Sequence, residues 1–209
     1  MNTRRTILRL IGGVLGLAGL VRPVRAAAAA GEVVGAVGSC IAETQGQARP
    51  LTLGNPVYVA DTIEVPAGAR LKLRMSDGSV ISLASGTRLA IADYRTGAGG
   101  VRVSAQLSLA QGLLRAVVAK VDRPATFEVS TAVGVAAVRS TDWFIDTQPA
   151  SAQVGVLEGS VSLTSAATGR SVTIPARWGT KLYAGRDPLL PRVWAPAEFD
   201  AVIARTKLG

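Results

Sequence analysis

Apolar and polar positions alternate with a period of two through most of the chain after residue 30. Ala69, Leu71, Leu73 and Met75 fall on one side of a segment whose other side carries Arg70, Lys72 and Arg74. That pattern predicts a strand with one face in a core and one in water. Ser76-Asp77-Gly78-Ser79 follows as a tight hairpin signal, since Asp-Gly tolerates the positive φ of a two-residue turn. Residues 127–145, FEVSTAVGVAAVRSTDWFI, read as strand, turn, strand, turn, strand. The segment 112–121 fits a short helix or a strand, and its leading Gly and three valines favour strand. Residues 94–100 read as a loop.

Short strands with Gly turns recur every 8 to 12 residues. Glu158-Gly159-Ser160-Val161 echoes Asp77-Gly78-Ser79-Val80, and Thr168-Gly169 and Trp178-Gly179 extend a weak internal repeat. The expected fold is all-β, many short strands in a solenoid-like or sandwich or roll stack. The pattern changes only at the end. After Pro188-Leu189-Leu190-Pro191, Phe199, Val202 and Ile203 recur at helical spacing while Glu198, Asp200 and Arg205 face away. Pro196 suits a first helical residue, so residues 196–208 are expected to form a short amphipathic helix that caps an open end of the stack or docks on a partner.

Residues 1–30 have the parts of an export signal. Arg4, Arg5 and Arg9 precede an apolar stretch of 12 residues and an alanine run, and Thr3-Arg4-Arg5-Thr6-Ile7-Leu8-Arg9 is similar to a twin-arginine signal. Twelve residues are short of the ~20 a membrane helix needs. The expected organisation is a cleavable signal at 1–30, a β domain at 31–187, and a Pro-rich spacer and helix at 188–209. The expected location is periplasmic or secreted, with no stable membrane span after cleavage.

Composition narrows the chemistry. The net charge is +9, but five of the 23 basic residues lie in the first 25 positions; without them 18 bases face 14 acids, a mildly basic domain rather than a nucleic-acid footprint. Histidine is absent, which excludes Ser-His-Asp and Cys-His catalysis and zinc held by Cys and His. Cys40 has no partner for a disulfide within the chain and reads as a small core residue. No phosphate loop, dinucleotide fingerprint or calcium loop is present. Asp142 and Asp146 read as ion-pair members rather than an acid/base couple. No enzyme activity, cofactor or metal is expected. The basic stripe Arg70, Lys72, Arg74, together with Arg139, Thr141 and Asp142, forms the candidate partner-binding set. The alternative reading of the stripe is solvated charge protecting a strand edge.

Several motifs together resemble the FecR domain family: an early Gly-Val strand, Asp77-Gly78-Ser79, Phe127-Glu128-Val129-Ser130-Thr131, Arg139-Ser140-Thr141 with an aromatic two residues on, and Leu157-Glu158-Gly159-Ser160-Val161. The family usually has Thr-Pro where this chain has Thr131-Ala132, and Arg-Gly-Thr where it has Arg139-Ser140-Thr141. The resemblance implies an extracytoplasmic all-β module that makes protein contacts and has no catalytic residues. Full regulators of this kind add a cytoplasmic anti-sigma segment, a membrane helix and a small α/β domain; this chain shows none of those patterns, so transmembrane signalling by it alone is not expected. The expected function is that of an exported, non-enzymatic protein binding an envelope protein in signalling or assembly. The alternative is a carbohydrate or peptidoglycan-binding module, suggested by export and by Trp143, Trp178 and Trp194.

Overall fold

The computed structural model describes residues 28–122 and 125–208; the export-signal pattern up to residue 27 lies outside them. Seventeen strands and one α-helix follow in chain order. The first eight strands are β1 (Ala29–Val37), β2 (Cys40–Thr44), β3 (Gln47–Leu51), β4 (Pro56–Tyr58), β5 (Thr62–Val65), β6 (Arg70–Met75), β7 (Val80–Leu83) and β8 (Thr87–Thr96). A 3-10 turn at Ala98–Gly100 leads into β9 (Arg102–Val117). Then come β10 (Thr126–Ser130), β11 (Gly134–Val138), β12 (Asp142–Gln148), β13 (Ser151–Glu158), β14 (Ser160–Ser165), β15 (Ser171–Pro175), β16 (Trp178–Tyr183), β17 (Arg192–Val193) and α1 (Pro196–Thr206).

The strands make two layers that share β9. One layer runs β4-β1-β6-β7-β9-β12-β13-β16-β17. The other runs β3-β2-β5-β8-β9-β10-β11-β14-β15, and its β9–β10 contact is the single parallel pair among the described strands. The array is open rather than closed into a barrel. Successive strands and hairpins alternate between the layers, so the chain winds as it adds strands. This two-layer roll is the all-β class that the alternation predicts.

The shared strand changes layer at Gly112, where φ is +94°. A Cβ there would sit 2.5 Å from Thr87 Oγ1 and 2.6 Å from Thr87 Cα, so the crossing needs glycine for both conformation and space. On either side of it, inward positions such as Leu107, Leu109, Leu114 and Ala116 join Leu71, Leu73, Ile81, Phe127, Trp143 and Val154 in one core between the layers. Each fully buried Leu, Ile or Phe contributes roughly 1.5–3 kcal/mol. The aliphatic composition thus supplies a thin, continuous core.

Four sequence expectations need correction. The Asp77 turn holds three residues rather than two, because Met75 donates its N–H to the Ser79 carbonyl at 2.8 Å. Tyr94 is not in a loop but in β8, with its ring buried. The internal repeat is not structural: Gly78 turns a hairpin within one layer, Gly159 carries the chain between layers, and Gly179 lies inside β16. Finally, α1 does not cap an end of the roll. It lies on the outer face of the β1-to-β17 layer, where Phe199 and Val202 pack with Ala84, Leu113, Phe144 and Trp194.

Glycines make room for this strap. Opposed Gly155 and Gly179 leave the sheet face bare, and a Cβ on Gly179 would stand 2.1 Å from Trp194 Cε2. Glu198 accepts the Ala195 N–H at 2.9 Å and pairs with Arg192 at 2.6 Å, closing the start of α1, while Arg205 pairs with Asp146 at 2.6 Å. No helix among the described residues is long and apolar enough to cross a membrane.

Candidate functional site: a cleft at the Arg139 turn

The Asp77 turn is the foundation of the site. Its carboxylate points inward, accepts the Ser79 N–H at 2.9 Å, the Ser79 hydroxyl at 2.8 Å and the Tyr94 hydroxyl at 2.6 Å, and pairs with the Arg102 guanidinium. Both charged side chains are fully buried. Burial pushes the Asp77 carboxyl up, but the hydrogen bonds from Tyr94, Ser79 and Arg102 outweigh it and hold the group below the usual carboxylate value. Burial, reinforced by the Asp77 charge and the hydrogen bond given to it, pushes the Tyr94 hydroxyl far up.

Arg102 carries this network across the molecule. Its Nη2 donates to the carbonyls of Arg139 at 3.1 Å and Ala119 at 3.3 Å, and its guanidinium lies 5.5 Å from the centre of the Phe127 ring. The N-terminal hairpin β6–β7 is thereby tied to the turn between β11 and β12. That turn is held from its other side by Thr141, whose hydroxyl donates to the Ser160 carbonyl at 3.1 Å. Gly159, at φ +83°, approaches so closely that a Cβ would lie 2.7 Å from the Ser140 carbonyl oxygen. Ser140 itself is not in the left-handed region, so serine fits where the family usually has glycine.

Above this clamped turn opens a cleft of about 630 Å³. Val103, Glu128, Ala137, Arg139, Ser162 and Thr173 are among its walls, with Phe127 and Thr141 beneath. The surface mixes exposed apolar groups, hydroxyls, one acid and one cation. Arg139 makes no ion pair with another described residue. Such an open, shallow wall suits side chains of another macromolecule better than a small ligand, which normally needs most of its surface enclosed.

The six candidate residues do not form one site. Arg139 and Thr141 line the cleft. Asp142 is occupied by Arg115, in a two-pronged pair at 3.0 and 2.8 Å, rather than by Arg139. Arg70, Lys72 and Arg74 project from β6 on the other layer, and Arg74 faces Glu32 at 3.6 Å. β6 lies between β1 and β7, so the stripe does not guard an edge. The tryptophans offer no sugar-stacking platform together: Trp143 is buried in the core, Trp194 is buried between the sheet face and α1, and Trp178 is half-buried. Cys40 is buried, its thiol pushed up by burial.

Sequence reasoning missed Arg102 and Tyr94, because an arginine at a strand start and a tyrosine before a Gly-rich loop both read as surface residues. It also missed a second buried acid. Asp61 accepts the Thr44 hydroxyl, the Arg49 guanidinium and the Tyr58 N–H, the last at 2.8 Å. The residue sits at the corner where β4 passes to β5.

The family model described as FecR protein matches residues 61–162. This stretch is a FecR domain. The match begins at buried Asp61 and spans the whole Asp77–Arg102–Arg139 network and most of the cleft. Two crystal structures of an anti-sigma-factor candidate from Parabacteroides distasonis, at 1.65 and 2.50 Å resolution, share the fold with a TM-score of 0.54 at 16% identity. The alignments cover 67% of this chain and 63% and 62% of those chains, so this chain spans under two thirds of their length. No curated protein matches it.

Proposed function

We infer that this chain is an exported regulatory protein whose FecR domain binds a protein partner at the cell envelope, and that it acts by binding rather than catalysis. The carrying observation is the cleft, where a FecR domain holds an exposed Arg139, without an ion pair among the described residues, on a turn fixed by the buried Arg102–Asp77 pair. A cation on a rigid mount contributes to protein recognition by orienting an acidic partner and rejecting a basic one. The neighbouring structures' description as an anti-sigma-factor candidate supports a regulatory setting. The twin-arginine-like start supports export to the periplasm.

Site-specific photo-crosslinking in intact cells tests the reading. A photoreactive residue at Val103 or Ser162 should give a discrete protein adduct that disappears with Arg139→Glu, while the same probe at Arg74 should not. Identical adducts from all three positions, or adducts indifferent to Arg139, would count against it. Arg4→Lys with Arg5→Lys should leave the protein in the cytoplasm; unchanged export would remove the twin-arginine part.

A further inference from the structure

Three of the four strand edges of the roll are short or blocked. β4 and β17 offer three and two residues. In the β2–β3 hairpin, Thr44 and Gln47 close a two-residue turn, and alternation from that pair directs Pro50 outward, where it has no N–H to give. The fourth edge, β15, is different. Ser165 donates its N–H to the Arg170 carbonyl at 2.9 Å, which sets the alternation of the β14–β15 ladder. Val172 and Ile174 bond inward to β14, while Ser171 and Thr173 turn both N–H and carbonyl away and Pro175, like Pro50, turns out a carbonyl alone, so β15 offers two complete pairing residues where β3 offers only Ala48. Ser171 and Thr173 are exposed, and the strand itself carries no charge.

What surrounds this edge fits a particular occupant. Beneath it Val172 and Trp178 only half-close the core, and on the adjoining layer Leu189, Leu190 and Val193 are exposed. Residues 170–192 contain Arg170, Arg177, Lys181, Arg186 and Arg192; Arg170 lies 3.7 Å from Asp187 in an exposed pair and Arg192 is held by Glu198, while Arg177, Lys181 and Arg186 make no ion pair among the described residues. Arg170 and Arg177 flank the two ends of β15, and Arg186 joins the Arg170 end, where its carbonyl accepts the Ser165 hydroxyl at 2.7 Å. A second copy would bring like charges together.

We propose that β15 is a docking edge for strand addition by an extended segment of a different protein, one with alternating apolar residues and acidic ends. Main-chain pairing to Ser171 and Thr173 supplies affinity, apolar side chains complete the cover over Val172 and Trp178, and the flanking arginines select acidic ends. This rests on the partner-binding reading but places a contact along the strand edge at the cleft's far wall, where Thr173 turns its side chain to the cleft and its backbone to the edge, beyond the family match.

The test uses the labelled peptide Glu-Glu-Val-Thr-Val-Thr-Val-Glu-Glu and the whole protein, read by fluorescence anisotropy. Saturable binding is expected, weakened about tenfold or more by Thr173→Pro, by Arg177→Glu, by proline at the central valine of the peptide, or by lysine ends, and unaffected by Thr173→Ser. Thr173→Pro removes an outward N–H and no internal bond. Should that variant misfold, amide exchange of the wild type decides: Ser171 and Thr173 should exchange fast alone and slowly with peptide. Equal binding of the proline peptide, no protection of those two amides, or self-association that Thr173→Pro abolishes would overturn the proposal. Cleft crosslinks without peptide binding would sink this inference and leave the partner-binding reading standing.

Discussion

Asp77 shows how one residue can be read correctly as a turn former and still be misjudged. Its Asp-Gly-Ser context announces the hairpin, yet the same carboxylate is the buried counter-ion of Arg102. Nothing local marks that pair, because its members are 25 positions apart and an arginine in an alternating strand is indistinguishable from a solvated one. Removing one member leaves the other charged and buried, so Arg102→Met should lower unfolding stability by ~3–5 kcal/mol in urea titration. Tyr94→Phe, which removes a single hydrogen bond to the carboxylate, should cost about 1.5–3 kcal/mol. The folded-state pKa of Asp77 lies below its unfolded value, so its contribution is present above about pH 4 and is lost as pH falls through the folded value. Wild-type stability should therefore fall on acidification below about pH 4, and Asp77→Asn, already weaker at neutral pH, should show a shallower fall. An equally steep acid limb in that variant would assign the acid sensitivity to other carboxylates.

At the scale of elements, alternation makes β6 and the triplet β10, β11 and β12 legible, because a sheet with one wet face writes its pattern into the sequence. It cannot reveal that β9 serves two layers. Gly112 is the only local sign, and a glycine inside a strand is equally compatible with a bulge. Gly112→Ala should be strongly destabilising, through both the +94° φ and the contact with Thr87, and a drop in thermal midpoint is the check. The helix is legible from its spacing, whereas its seat is not: the expectation of an end cap fails because Phe144, Leu113 and Ala84 form an apolar patch on a sheet face. Gly179→Ala should push Trp194 off that face at a cost of about 1–3 kcal/mol and make residues 192–208 sensitive to protease. Persistent protection of that segment would show that Trp194 does not hold the strap.

At the scale of the whole molecule, the two layers give the chain two unlike outer faces. One is strapped by residues 192–208 and carries the Arg70, Lys72, Arg74 stripe; the other is bare and holds the cleft. Fold class was readable because Gly turns and short strands accumulate along the chain, and the family was readable from the order of its motifs. The candidate cleft was only partly legible: Arg139 and Thr141 stand out in the central stretch, but only the layer assignment separates them from the stripe and from Asp142. The central claim is that the cleft, rather than the stripe, binds a protein. The direct measurement is the affinity of the crosslinked partner, once purified, for the wild type, Arg139→Glu, and Arg70→Glu with Arg74→Glu. A loss of about tenfold or more for Arg139→Glu with the stripe variant within about twofold of wild type is the predicted result; an unchanged affinity for Arg139→Glu beside a large loss for the stripe variant would contradict it.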